Sequence, residues 1–413
     1  MSCRRGCCLL ATICAVVSSL GIAAPARARK GPLLSVRAAA LIDERTGQPL
    51  YSYAPHRQLA IASTTKLMTA LVTLEHVHRL STIYVQNNYH PAAVDSQIGL
   101  VPGERMSVHD LLLALLLPSA DDAAEDLAYN VGNHSIGAFI GMMNARAREL
   151  GLSDTHYSTP IGLDTPGNYS SASDLVKLAR FMLIHEPFFT RAVALRSAAL
   201  LTGSYLRHVT NRNTLIGRVP WIQGVKTGHT LDAGYVLVGS GTRDRLTLIS
   251  AVLGSTSEST RDSNTLALLD YGFASFHLVY PVRAGEVLAR RPVRDQPGRH
   301  AIVIAAHGFT ALLARSARVA IQVDLPDQLA GPLKRRTLIG TALVRADGHT
   351  LGRIPLLLAR SLPAIGPLTL AARFITRPFT LVPLVLLLLA AAALIVRGRL
   401  RTRARQVAGQ EPA

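Results

Sequence analysis

The sequence predicts an α+β fold, a mainly antiparallel sheet covered by helices. Strand-like segments stand at both ends of a helix-rich stretch, and their polarity patterns differ in period from the helices between them. At the start, Ala38 to Ile42 and Leu50 to Tyr53 flank Asp43-Glu44-Arg45-Thr46-Gly47-Gln48, which reads as a hairpin. Ile61 to His76 follows. Leu67, Met68, Leu71, Val72 and Leu74 make it apolar on most sides, so it is expected to be a buried helix. Helical spacing recurs at Val108 to Leu117, Ala123 to Val131, Ile136 to Leu150 and Ser173 to His185. Strands return at Val219 to Val225, Gly234 to Ser240 and Leu246 to Leu253, and a helix over Asp262 to Phe276 closes the region.

After Tyr280 the texture changes. Ala301 to Ala305, Val319 to Val323, Thr341 to Val344 and Gly352 to Leu357 alternate with Pro, Gly and Asp, as in a small β-rich domain over 281–363, with Pro292 to His300 a surface turn. A weakly amphipathic stretch, 364–378, precedes Phe379 to Val396, which carries no charge. As a helix those residues span about 27 Å, enough for the hydrocarbon core of a bilayer. Arginines 397, 399, 401, 403 and 405 beyond it are expected in the cytoplasm by the positive-inside rule. At the other end, Arg4 and Arg5, the apolar run Cys7 to Ala24 and Ala26-Arg27-Ala28 read as a secretory signal over 1–28, the alternative being an uncleaved anchor. The expected mature chain is therefore an extracytoplasmic catalytic domain over 29–280, the β-rich domain, and a single C-terminal transmembrane helix. All four cysteines (3, 7, 8 and 14) lie in the signal, so no disulfide, thiol chemistry or Cys-ligated metal is expected.

The formal charge is +18, and removing three Arg from the first 28 residues and five Arg and one Glu from the last 17 leaves +11. Nucleic acid is not the expected partner, because the Arg are scattered singly and a secreted chain meets none. An anionic envelope or membrane surface fits such a charge better, and a genome biased toward Arg codons explains it equally well.

That Arg bias isolates the chemistry. The chain has 39 Arg and five Lys, and two of the five stand in Ser63-x-x-Lys66 and Lys226-Thr227-Gly228. Arg does not lose its proton in a protein whereas a buried Lys can, so only Lys can serve as a base. At three-residue spacing at the start of a helix, Ser63 and Lys66 project to one face. Burial disfavours the ammonium of Lys66, which makes it a base beside a serine nucleophile. Taken alone, Ser63 would more commonly be a helix N-cap. Serine three before lysine arises by chance about 0.3 times in such a chain and Lys-Thr-Gly about 0.03 times, so their joint presence carries the argument. Gly228 leaves an open strand edge for an extended peptide, with Lys226 and Thr227 offering a charge and a hydroxyl to a terminal carboxylate. His76-x-His78 cannot share a helical face, no His-Glu-x-x-His occurs, and Gly239-Ser-Gly241 lacks the rest of a nucleotide loop. No metal or organic cofactor is expected.

With these motifs the chain resembles the low-molecular-mass penicillin-binding proteins, serine-type D-alanyl-D-alanine carboxypeptidases of peptidase family S11. The resemblance covers residues 35 to 277: Ala62 to Ala70, Leu113 to Ala124, Met143-Asn144, Gly162 to Asp164, Tyr169 to Ala172 with Asp174, Gly224 to Thr230 and Tyr271 to Phe273. It implies a β-lactamase-like fold followed by a small β-sandwich, and acylation of Ser63 by a peptidoglycan stem peptide with expulsion of the terminal D-Ala. It implies Lys66 as base, the N–H groups of Ser63 and His229 as oxyanion hole, and Lys226, Thr227 and Arg261 as contacts for the substrate carboxylate. β-Lactams are then expected to acylate Ser63 as inhibitors.

The middle motif departs from the family's usual Ser-x-Asn: it is Ser119-Ala120-Asp121. Ser119 remains in place to shuttle the leaving-group proton. Asp121 keeps an oxygen for Lys66 but, when ionised, lacks the amide donor and favours the ammonium form of Lys66. Asp121 is therefore expected to tune the pH dependence. Asn168 also stands where the family commonly has His. Two rival functions follow: a β-lactamase, for which no Glu is convincingly placed to activate water, and a wall-binding protein that keeps the pocket without turnover.

Overall fold

Strand β1 (Ala38–Asp43) is buried along its whole length, and its side chains alternate between two cores. Ala38, Ala40 and Ile42 join one, Ala39 and Leu41 the other, which is the period-2 signature of a strand covered on both faces. In this computed structural model, which describes residues 31–408 apart from 88, 93–94, 365, 368–370, 372–373 and 375–377, β1 lies second in a five-stranded antiparallel sheet. The order is β2 (Pro49–Tyr53), β1, β9 (Leu246–Ser255), β8 (Gly234–Arg243) and β7 (Ile222–Thr230). Asp43 closes the first hairpin by accepting from the Thr46 N–H and hydroxyl, with Gly47 at φ +74° in the left-handed region.

One face of this sheet carries α1 (Lys66–His76), α2 (Val108–Leu116), α3 (Asp121–Val131), α4 (Ile136–Glu149), α5 (Ala172–His185) and α6 (Pro187–Val193) around a core that includes Leu67, Met68, Leu111, Phe139 and Phe189. The other carries α7 (Glu258–Ser275) through Leu268, Leu269 and Phe273. Two short ribbons, β3 (Ile83–Val85) with β4 (Arg105–Ser107) and β5 (Ser197–Leu200) with β6 (Arg207–Thr210), complete the region. The described residues up to 279, with 312–317, form one unit.

The expected α+β architecture is observed, with local corrections. Ile61 to His76 is not one helix: Ala62, at φ +48°, starts a 3-10 turn over Ala62–Thr65, and α1 begins only at Lys66. Lys226-Thr227-Gly228 lies inside β7 rather than after a strand, because β7 starts three residues later than its apolar pattern and runs to Thr230. Helix α7 starts at Glu258, where Ser257 accepts from the Thr260 N–H as N-cap. The ribbons and α6 are too short to show a period.

The second unit, 280–311 with the described residues from 318 on, contains another five-stranded antiparallel sheet. Its order is β11 (Val287–Pro292), β12 (His300–Ala305), β16 (His349–Leu358), β15 (Leu338–Ala346) and β14 (Val319–Asp324), around Val303, Ala342, Val344, Ile354 and Leu356. Strands β10 (Phe276–Val282) and β13 (Phe309–Ala314) bring the total to sixteen among the described residues. Helix α8 (Pro378–Ala408) contains the apolar run and continues through the Arg-rich stretch. Its stretch Leu381–Arg403 is long and apolar enough to cross a membrane. The expected signal with its cysteines, and most of 364–378, lie outside the described residues.

A loop over residues 95–104 is held against the first unit from two sides. Asp122 accepts from the N–H groups of Ile98 and Leu100, while the Arg207 guanidinium donates to the carbonyls of Ile98 and Gly99 and makes two bonds to Glu104, at 2.8 and 3.0 Å. Both members of this ion pair are buried. Removing Arg207 leaves the buried Glu104 charge without its counter-charge and two carbonyls without this donor, so Arg207→Met is expected to cost about 3–5 kcal/mol. Urea unfolding of the purified protein measures this, and a loss below about 1 kcal/mol would show that the pair does not hold the loop.

Candidate active site

The 3-10 turn places Ser63 at the head of α1, partly accessible, while Lys66 one turn on is fully buried. The Lys66 amine has three neighbours: Ser63 Oγ at 2.9 Å, Asp121 Oδ1 at 2.5 Å and the Ile161 carbonyl at 2.8 Å. The last two only accept hydrogen bonds while Asp121 is ionised. A neutral amine gives its two hydrogens to them, and its lone pair is left facing the serine hydroxyl. Burial lowers the Lys66 pKa from its ordinary value, and the Asp121 carboxylate opposes that shift.

Asp121 uses its other oxygen to accept from the Ser96 N–H at 3.2 Å, and its own N–H donates to the Ser96 carbonyl. Both oxygens therefore face donors. An amide in this rotamer would turn an NH2 group toward one of them, which is a physical reason for a carboxylate here.

Ser119, at φ +69° on the turn before α3, accepts from the Lys226 amine at 2.9 Å. Lys226 is buried, and its remaining contact is its neighbour's carbonyl, Thr227 O. Burial, then the positive charges of Lys66 and Arg212, push its pKa well below the ordinary lysine value. The lysine beside a carboxylate is Lys66, the contact the Ser119-Ala120-Asp121 motif led one to expect, whereas the charge expected on Lys226 is opposed by its burial and its cationic neighbours.

Glycine is required where backbones meet. A Cβ on Gly228 would lie 3.0 Å from the Ser63 nitrogen and from the Ile61 carbonyl, and Gly162, at φ +93°, presses against Ala62 O. Strand β7 therefore lies flush on the nucleophile's turn, which brings the stretch carrying His229 beside Ser63. Asn168 braces the same turn through Thr65 Oγ1 at 3.2 Å.

Ser63, Ser119, Thr227, Gly228, His229 and Arg261 line one cleft of about 460 Å³, together with Ser96, Arg212, Thr214, Tyr235 and Glu258. His229 stacks on Tyr235 with centroids 4.0 Å apart. All the residues singled out from the sequence thus converge here, with Lys66, Asp121 and Lys226 behind the wall. Arg261 is already bonded to Asp262 and Glu258. Arg212 is exposed and has no side-chain partner among the described residues, so it is the guanidinium left for an anion. One Arg among 39 gave no sign of this, and Ile161 acts through a backbone carbonyl that no side-chain motif reveals.

A family model described as D-alanyl-D-alanine carboxypeptidase, Peptidase S11, matches residues 26–257. This chain belongs to that family. The match contains Ser63, Lys66, Ser119, Asp121 and Lys226 to His229, and ends before Arg261. The S11 chain is 28% identical over 354 residues to the D-alanyl-D-alanine carboxypeptidase DacF of Bacillus subtilis, covering 82% of this chain and 88% of that one. It is 30% identical over 347 residues to DacC of Escherichia coli, covering 79% and 84%. Among solved structures, the Streptomyces K15 DD-transpeptidase superposes with a TM-score of 0.57 at 32% identity, over 60% of this chain and 100% of that one.

Next to the cleft, α3 of this S11 chain carries two carboxyls that the sequence reading did not single out. Burial, followed by the Asp121 charge, raises Glu125 to about 7. Burial raises Asp126 to about 7 as well, against hydrogen bonds from Asn87 and Asn130. Their folded values lie above their unfolded ones, so the folded state holds extra protons between roughly pH 4 and 7, and their contribution to stability falls as pH rises through that window. The double change Glu125→Gln, Asp126→Asn is expected to flatten the decline in melting temperature from pH 5 to 8. An identical slope in both proteins would contradict this.

Proposed function

We propose that this chain is a serine carboxypeptidase that removes the terminal D-Ala from peptidoglycan pentapeptides, working through an acyl-enzyme on Ser63. The observation that carries the reading is the Lys66 amine, 2.9 Å from Ser63 Oγ with its other two contacts on acceptors. Ser63 Oγ attacks the carbonyl of the penultimate D-Ala while its proton passes to Lys66. The N–H groups of Ser63 and His229 receive the oxyanion. Ser119 Oγ already accepts from Lys226, so its own proton is available for the leaving amine, and Lys66 returns one to Ser119. The C–N bond breaks and free D-Ala leaves. Water then attacks the ester, gives its proton back through Lys66, and releases the shortened peptide with Ser63 restored.

Thr227 and Arg212 receive the terminal carboxylate at the cleft wall, beside Arg261, whose guanidinium is paired with Asp262 and Glu258, and the buried Lys226 amine holds Ser119 from behind. β-Lactams enter as mimics of the acyl-D-Ala unit and acylate the same serine. Helix α8 tethers the chain to the cytoplasmic membrane, with the catalytic unit outside and the Arg-rich end inside.

The test compares fluorescent-penicillin labelling and D-Ala release from a pentapeptide for the wild type and Ser63→Ala. Both signals are expected to vanish in the variant. Labelling without release would favour a binding protein, rapid loss of label a β-lactamase, and no Ser63-dependent label would refute the mechanism.

Asp121 supplies a second prediction. Its carboxylate holds Lys66 toward the ammonium, so Asp121→Asn lowers the Lys66 pKa further and moves the acid limb of kcat/KM to lower pH, by about one unit. The maximal rate is expected to fall as well, because the amide cannot offer an acceptor to both Lys66 and Ser96. An unchanged profile would remove any charge role for Asp121.

A further inference from the structure

A second cavity, of about 680 Å³, opens on α3 beyond the catalytic cleft and shares none of the cleft's lining residues. Gln86, Tyr89, Glu125, Tyr129, Asn130 and His134 are among its walls. Two observations mark it as a site in want of a ligand. Gln86 is 5% exposed, and neither atom of its side-chain amide has a hydrogen-bond partner among the described residues. Its backbone is clamped on both sides, by Gln86 N–H to Glu104 O at 2.8 Å and Gly103 N–H to Gln86 O at 3.1 Å. A fixed buried amide left unpaired is costly, and a polar ligand would satisfy it.

Glu125 is the second. It is 9% exposed and has no hydrogen bond or ion pair among the described residues. Its neighbours on α3 differ: Asp121 holds Lys66, Asp122 holds backbone N–H groups, and Asp126 accepts from Asn130 Nδ2 at 3.1 Å.

The wall chemistry selects a cation. A carboxyl and an amide line the cavity with Tyr89 and Tyr129, His134 packs on Tyr129 at 4.9 Å, and no Lys or Arg lines it among the described residues. Carboxylate, carbonyl and aromatic faces together suit an ammonium group. A sugar would use the amides and rings but would leave the carboxylate without a counter-charge.

We propose that this cavity is a subsite for an alkylammonium group, and that its occupant is a side-chain amine carried by the peptide upstream of the scissile bond. The substrate half of this rests on the carboxypeptidase reading. Glu125 lies one helical turn beyond Asp121 on the same face of α3 and is close enough to Lys66 for their charges to interact. A long, flexible amine-bearing side chain can bridge that interval.

The experiment measures D-Ala release from two peptides ending in Lys-D-Ala-D-Ala, one with the lysine amine free and one with it acetylated. Cadaverine binding is followed by calorimetry alongside. The expected result is a KM about tenfold lower for the free amine at similar kcat, with the ratio falling to near one in Glu125→Gln and in Gln86→Leu. Each ratio is taken within one protein, so loss of folded material does not affect it. Equal KM values without cadaverine binding would overturn the site and leave the hydrolase standing. Equal KM values with Glu125-dependent cadaverine binding would keep the ammonium site and assign it to a free diamine. Release from neither peptide would overturn the carboxypeptidase reading, and the cadaverine measurement would still decide the cavity.

Discussion

A lysine amine with no exposure to water must have every hydrogen placed, and the arrangement around Lys66 meets that demand with Ser63 Oγ, Asp121 Oδ1 and the Ile161 carbonyl. The three partners come from the turn before α1, the first residue of α3 and the loop that follows α4. None of these segments can shift without leaving a buried charge or donor unpaired, which is expensive in a low-dielectric interior. The Lys66 contact is therefore a catalytic pair and also the point at which three parts of the fold are brought into register.

The fold contributes the remaining geometry through close approach of backbone. Strand β7 reaches the nucleophile's turn only because Gly228 has no side chain, and the opposite side of that turn is closed by Gly162. Ala62 and Ser119 both hold positive φ without being glycine, one beside the nucleophile and one at the hydroxyl across the cleft. Such conformations cost about 1–3 kcal/mol each and persist only where the surroundings enforce them. Here they are enforced by hydrogen bonds of the neighbouring residues, Thr64 N–H to Ile61 O and Ala120 N–H to Ala114 O.

Much of this was legible in the residues. Strand alternation and helical period located the main sheet and the longer helices, because those elements bury enough side chains to impose a pattern. Ser63, Lys66 and Lys226 stood out because amines are scarce in an Arg-rich chain. Elements of three or four residues, such as the β3–β4 ribbon, lie below the length at which a period can be seen. The start of α1 escaped because a positive φ at Ala62 has no side-chain signature, unlike glycine. The environment of Lys226 escaped for a different reason: its burial and its nearness to Lys66 and Arg212 depend on segments far apart in sequence.

The acidic start of α3 shows how one local pattern distributes several roles. Four carboxyls occupy positions 121, 122, 125 and 126, near the helix N-terminus where the peptide dipoles favour negative charge. Residues four apart share a face, so 121 pairs with 125 and 122 with 126. On the first face, Asp121 meets Lys66 and Glu125 meets an open cavity; on the second, Asp122 meets backbone donors and Asp126 meets Asn130. Mutual repulsion makes each charge harder to hold, and Lys66 offsets the pair on the first face only in part, since it contacts Asp121 directly and Glu125 through space. A cation arriving at Glu125 would ease that repulsion and also draw on the carboxylate field that opposes the lowering of the Lys66 pKa. Occupancy of the cavity and the protonation of the catalytic amine are thus electrostatically linked along one turn of helix.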